Sequence, residues 1–137
     1  MSDCLNIHDL RDAAKRRLPR AIFEFVERGS EDDYLIRHNR AALDRIRLIP
    51  RAPRDVSVRD QSVTLFGRRL SSPLIIAPTG IADLVAYRGE IALARAAAAA
   101  GIPFSLATSS TTSMEDIGQH ATAGFWMQMY LWERRDL

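Results

Sequence analysis

Apolar residues recur at helical spacing through the first third of the chain and gather into short solid runs in its second half. Leu10, Ala13, Ala14 and Leu18 fall three or four apart, which predicts a helix from Ile7 to about Leu18 with Asn6 as its cap and Asp9 in its first turn. Pro19 suits the first turn of a second helix, Pro19 to Arg28, apolar at Ile22, Phe23, Phe25 and Val26 and stopped by Gly29. Ser30, followed by Glu31, Asp32 and Asp33, predicts the opening of a third helix that reaches Leu43, since acids favour the positive end of a helix dipole. From Ile46 to Asp60 the chain is rich in arginine and carries Pro50 and Pro53, so an extended linker is expected.

After the linker the period changes. Ser62 to Leu70 reads as a hairpin, Val63 to Phe66 and Gly67 to Leu70, with the glycine at or near the turn. Leu74 to Pro78 is a short apolar strand, Gly89 to Ala100 an alanine-rich helix ended by Gly101, and Pro103 to Thr108 a second strand. Ser113 to Asp116 has capping-box character before a short helix to about His120, and Phe125 to Leu131 is a third strand. Strands apolar on both faces that alternate with helices predict a parallel sheet with crossover helices. Three such strands complete neither an eight-stranded barrel, which needs roughly 250 residues, nor a usual doubly wound sheet. The chain therefore reads as the front portion of a larger α/β fold, with Glu133 to Leu137 expected to begin the next helix.

Composition narrows the class without choosing the chemistry. Across 137 residues, 47% are hydrophobic and 26% charged, as in an ordinary globular chain with one modest core. The net charge of +2 comes from 19 basic and 17 acidic residues, interspersed rather than gathered into a basic stripe, so nucleic acid is not an expected partner. Cys4 is the single cysteine and has no metal-ligand spacing around it, which fits a reducing compartment, read as the cytoplasm. No apolar stretch has the length of a signal peptide or a membrane span.

Ligands of parallel α/β folds sit at the carboxyl ends of the strands, which here are Pro78-Thr79-Gly80, Ala107 to Ser110, and Gln128 with Tyr130. In a strand Trp126, Gln128 and Tyr130 share one face and Met127, Met129 and Leu131 the other. An amide in such a segment needs either an internal partner or a polar ligand, and both remain open from the strand alone. Gly80 leaves backbone bare where a flat ring could lie, and Thr79 adds a hydroxyl; an ordinary strand-ending turn explains the same residues. Residues 108–112 serve equally as a hydroxyl-rich loop capping the next helix. His8, His38 and His120 fall on surface helices or helix ends, where solvation is the default. No nucleophile elbow, glycine-rich phosphate loop or metal-spaced cluster is present, so hydrolase and metalloenzyme readings are weak and no metal is expected.

Taken in order, a set of motifs resembles one family. Arg17-Leu18-Pro19 leads into Phe23-Glu24-Phe25, then Gly29 to Asp32, Asn39-Arg40, Ser72-Pro73-Leu74, Ala77 to Gly80, Arg88-Gly89-Glu90, Ala99 to Pro103 and Gln128-Met129-Tyr130. This series is similar to the FMN-dependent α-hydroxy-acid dehydrogenases and oxidases, the family of glycolate oxidase, lactate dehydrogenase and mandelate dehydrogenase. The resemblance implies an α/β fold, the first strands and helices of a (β/α)8 TIM barrel, with residues 1–72 forming N-terminal helices, linker and a barrel-bottom hairpin and residues 73–137 the first βα units.

By that likeness, Pro78, Thr79, Gly80, Ala107 and Gln128 would face FMN, and Tyr130 and Phe25 the substrate, a small 2-hydroxy acid oxidised to a 2-oxo acid. Phe25 stands where the family usually has tyrosine, which removes a charge-assisted contact of about 1.5–3 kcal/mol to a carboxylate. Ala107 stands where many members have serine. Gly80 is similar to mandelate-type members, which favours a dehydrogenase over an oxidase, and the small Ser109 would leave room for a larger substrate. In the family the general-base histidine, the substrate arginines, the lysine beside the flavin and the phosphate-gripping loops come later than residue 137. The resemblance thus implies no catalytic base here, weak or absent FMN binding by this chain alone, and a homo-oligomer when complete. Two rivals remain: a non-catalytic module that pairs through a sheet edge, and a small open sheet of flavodoxin type.

Overall fold

The computed structural model describes residues 4–122, 124–131 and 133, and these fall into two compact units that divide between Ser57 and Val58. The expected helix start at the chain's far end, residues 134–137, lies outside the described residues.

The first unit is built from three helices, α1 (Ile7–Arg17), α2 (Arg20–Glu27) and α3 (Tyr34–Asp44). Asn6 caps α1 as its sequence suggested, its side-chain oxygen accepting the Asp9 N–H at 3.0 Å. Pro19 is the cap of α2 rather than its first helical residue. Phe23 on α2 is buried, Arg11 of α1 lies 5.9 Å over its ring, and the same guanidinium binds the Glu27 carboxylate. This hydrogen bond, helped by the opposite charges, holds Glu27 below the usual carboxylate range and raises Arg11.

The chain around Gly29 departs from expectation in part. α2 does stop just before it, with Arg28 as an extended cap, and Gly29 is not in the left-handed region. Its missing side chain serves a close approach: a Cβ there would stand 2.8 Å from Cδ1 of Ile36 on α3. Nor does α3 open at Ser30. Glu31 and Asp33 take φ of 52° and 57°, and the Asp33 carboxylate turns back to accept the Gly29 N–H at 2.8 Å, so the acids form a turn before Tyr34. Residues 46–60 carry no helix or strand, as the prolines required.

The second unit opens with an antiparallel hairpin, β1 (Val63–Leu65) and β2 (Arg68–Leu70), which sequence placed with the helices and which packs instead in the same compact unit as the βα segments. Phe66 and Gly67 between the strands both have positive φ, 49° and 74°, the geometry of a two-residue turn of type I′. Next come α4 (Gly89–Ala100), β3 (Phe104–Leu106), α5 (Met114–His120) and β4 (Phe125–Met127). Gly101 ends α4 in the left-handed conformation with φ 66°, and Ser113 caps α5 by accepting the Asp116 N–H at 3.1 Å.

The strands are shorter than their apolar runs. From Leu74 to Pro78 only Ile76 bridges β3, in parallel, with its N–H donating to Pro103 O and its own oxygen accepting from Ser105 N–H. β4 pairs in parallel with β3 over Phe104↔Phe125 to Leu106↔Met127, and the Gln128 N–H continues the ladder to Leu106 O at 2.8 Å. Beyond that no described ladder partner holds residues 129–131, so the expected strand to Leu131 ends early. The result is a βαβαβ unit with three parallel segments side by side in chain order and α4 and α5 as crossovers. Ile91, Ala94 and Ala97 of α4 pack with Phe104, Leu106, Ile117 and Ala121, and Ile76 and Phe125 close the same cluster. The alanines let α4 lie close to the sheet; Ile117 is fully buried.

Facing positions follow from that core. Phe104, Leu106 and Phe125 point to the helices, so Ser105, Ala107, Trp126 and Gln128 belong to the opposite face. On that face Phe66 of the hairpin turn meets Trp126 edge-on at 5.7 Å. Ser71, just after β2, donates its N–H to Gly101 O, before β3 begins. The hairpin therefore covers the amino end of the parallel strands and leaves their carboxyl end to the loops.

Candidate functional site at the carboxyl ends of the strands

Gln128 ends the β4 ladder on the face away from the helices. Its Oε1 accepts the Thr108 N–H at 3.1 Å, and its backbone oxygen accepts from Thr108 Oγ1 at 2.5 Å. The glutamine thus has an internal partner, from the loop after the neighbouring strand, for one half of its amide. Its Nε2 has no hydrogen-bond partner among the described residues, so the amide keeps two donors for another acceptor.

Thr108 begins the loop 108–112, and the next residue closes on the first strand segment. A Cβ built on Gly80 would stand 2.2 Å from Ser109 Oγ and 3.4 Å from Ser109 Cβ. The bare backbone at Gly80 is therefore matched to Ser109 directly. Pro78, Thr79 and Gly80 are exposed, and Thr79 Oγ1 donates to Ala77 O at 3.3 Å. Ala107 is buried next to β3, where the turn is closed by the Ser110 N–H to Ala107 O. The structure brings Gly80, Ser109, Thr108 and Gln128 into one contact chain across the three segments.

Tyr130 is 62% exposed, two residues past Gln128 and outside the strand. Phe25 belongs to the first unit, where it stands 68% exposed on α2 and lines a cleft of about 780 Å3 with Arg20, Ala21, Glu24, Arg28 and Gly29. Both arginines there face Glu24: Arg28 Nε at 2.6 Å and Arg20 Nε at 3.9 Å. His120 closes α5, the helix that returns the chain to the amino end of β4, so it lies at the opposite end of the sheet from Gln128, near Arg95 at 3.4 Å. His38 stacks on Tyr34 in α3. Among the described residues no cluster of His, Cys, Asp or Glu could hold a metal.

One group escaped the sequence reading. Glu90, in the first turn of α4, is 1% exposed and accepts from Ser110 Oγ at 2.6 Å and Thr112 N–H at 3.0 Å, both on Oε2. Its backbone N–H donates to Asp83 Oδ1 at 3.2 Å, and Thr112 Oγ1 donates to Asp83 Oδ2 at 3.4 Å. A first-turn acid usually faces water; the signal for burial was the pair of hydroxyl residues at Ser110 and Thr112, whose reach to α4 depends on the fold.

The residues at this carboxyl end fit the polar edge of a flavin ring in donor type: an unshared amide NH2 at the end of β4 and exposed backbone at the end of the first segment. Residues 14–137 match the FMN-dependent dehydrogenase family. The chain is 40% identical over 129 residues to the (S)-mandelate dehydrogenase of Pseudomonas putida, covering 94% of this chain and 33% of that protein. It is likewise 40% identical over 127 residues to the L-lactate dehydrogenase of Bartonella quintana, at 93% and 33% coverage. Among solved structures, a monotopic membrane protein (S)-mandelate dehydrogenase superposes with a TM-score of 0.90 at 38% identity, over 97% of this chain and 36% of that one. The chain spans about a third of the length of these curated relatives. Its βαβαβ unit corresponds to part of a TIM barrel, and its described strands do not close one.

Proposed function

The chain belongs to the FMN-dependent dehydrogenase family, and from that premise we propose that its second unit supplies the flavin-facing strand ends of a protein that oxidises a 2-hydroxy acid to a 2-oxo acid. The observation that carries this reading is the Gln128 amide, anchored through Oε1 by Thr108 and left with an unshared NH2 at the carboxyl end of a parallel sheet. Gln128 would donate to the flavin's polar edge, and Pro78, Thr79, Gly80 and Ala107 would line the ring with backbone and a hydroxyl. FMN, when bound, supplies the acceptor for the substrate's two electrons.

The chain's own residues would bind and orient. Tyr130 would donate its hydroxyl to the substrate carboxylate or hydroxyl. Phe25 would offer a ring without a hydrogen bond where the family usually has tyrosine. The second unit's histidine, His120, lies at the opposite end of the sheet from Gln128, and proton abstraction is not assigned to any of these residues. With Gly80 and the small Ser109, we favour a dehydrogenase acting on a bulky hydroxy acid. The lone Cys4 supports a reducing compartment such as the cytoplasm. No helix among the described residues is long and apolar enough to cross a membrane.

FMN titrated into the purified chain is expected to lose fluorescence only well above micromolar concentration. Gln128→Leu should move that midpoint roughly tenfold higher, the scale of one hydrogen bond. Equal midpoints in the two proteins would overturn the role of Gln128. Quenching at micromolar FMN would contradict the weak binding expected of this chain.

A further inference from the structure

The buried carboxylate of Glu90 lies outside every role assigned above, and it grips the loop that carries Thr108 and Ser109. We propose that Glu90 is a positioning residue for the flavin-facing strand ends: through Ser110 and Thr112 it fixes the 108–112 loop so that Thr108 meets Gln128 and Ser109 seats against Gly80. This inference rests on the proposed flavin site for its functional meaning, whereas the clamp itself is a property of the chain without flavin.

The geometry makes the chain of causes specific. Glu90 touches neither Thr108, Gln128 nor Gly80 among the contacts described; it touches only the far half of the loop. Asp83 ties the same segment from the side of the first strand's loop, accepting from both the Glu90 N–H and Thr112 Oγ1. Two acids thus join the loops that follow two adjacent parallel segments. A carboxylate withdrawn from water is costly unless its acceptors are used, and here both donors converge on Oε2, while the buried Oε1 accepts none from the described residues. One oxygen therefore does the clamping, and the carbonyl of a glutamine can take its place.

The test compares Glu90→Gln and Glu90→Ala in the full 137-residue chain by amide hydrogen exchange, read residue by residue. Glu90→Ala should speed exchange at Thr108 about tenfold although residue 90 does not touch it, while Glu90→Gln stays within about twofold of the parent. Unchanged protection of Thr108 in Glu90→Ala overturns the proposal, as does equal loss in both variants. If Glu90→Ala does not fold, Glu90→Asp, which draws the carboxylate back from Ser110 and Thr112, should speed Thr108 exchange by about threefold; no change there is equally fatal. FMN titration then separates the two readings. Where the parent binds FMN, Glu90→Ala must shift the midpoint in the direction of Gln128→Leu, and freed Thr108 with an unmoved midpoint defeats the positioning role. A parent that binds no FMN while Thr108 stays protected removes the positioning of flavin contacts from this chain alone and leaves the clamp standing.

Discussion

A single atom decides how much room the first strand end has. Ser109 Oγ occupies the place of a Gly80 side chain, yet Ser109 Cβ stands back at 3.4 Å, so only a hydroxyl must move. Gly80→Ala is expected to cost about 1 kcal/mol, the low end of overpacking, and Ser109→Ala in the same chain should restore most of it. Additive losses in thermal melts of the single and double variants would show that the two residues do not meet. Gly67 presents the contrary case: no atom lies within 4 Å of its would-be Cβ, but its φ is 74°. Gly67→Ala should therefore cost about 1 kcal/mol through backbone conformation alone, seen as a lower melting temperature with unchanged packing. Gln128 was legible as a residue needing a partner. That its first partner is the Thr108 N–H was not, because twenty residues separate them and only strand pairing brings them within 3.1 Å.

Elements with strong local signals appear where their residues place them. Asn6, Gly101 and Ser113 mark helix ends through contacts of a few residues, and α1, α4 and α5 follow. The third helix starts late because Asp33 finds a nearer donor behind it than ahead. Between α1 and α2 the Arg11–Glu27 pair crosses sixteen positions and carries a pH signature. Glu27 titrates below its ordinary value near 4.5, so its stabilising part is present above that value and is lost as pH falls through the lowered one. The melting temperature of the helices should fall as the pH drops below about 4.5, and Glu27→Gln should flatten that slope; an identical slope would remove the pair from the account. In the second unit, Ile117 at 0% exposure has no room to relax toward solvent. Ile117→Ala should destabilise that unit by about 2–4 kcal/mol in denaturant titration, with a loss below 1 kcal/mol contradicting its place in the core.

At the scale of the whole molecule, the chain divides into two compact units between Ser57 and Val58. Local pattern determined the order of elements, the helix ends at Asn6, Gly101 and Ser113, the hairpin turn and the parallel class of the sheet, because each depends on neighbours within a few positions. It also carried the motifs that resemble the FMN-dependent family, since those are strings of adjacent residues. The tertiary structure alone decided where the strands stop and which of their faces meets the helices. It alone paired Ser109 with Gly80, and Glu90 with Ser110 and Thr112 across twenty and twenty-two positions. Those contacts arise from the spacing of adjacent strands and the crossover of α4, distances that no periodicity along a single segment encodes.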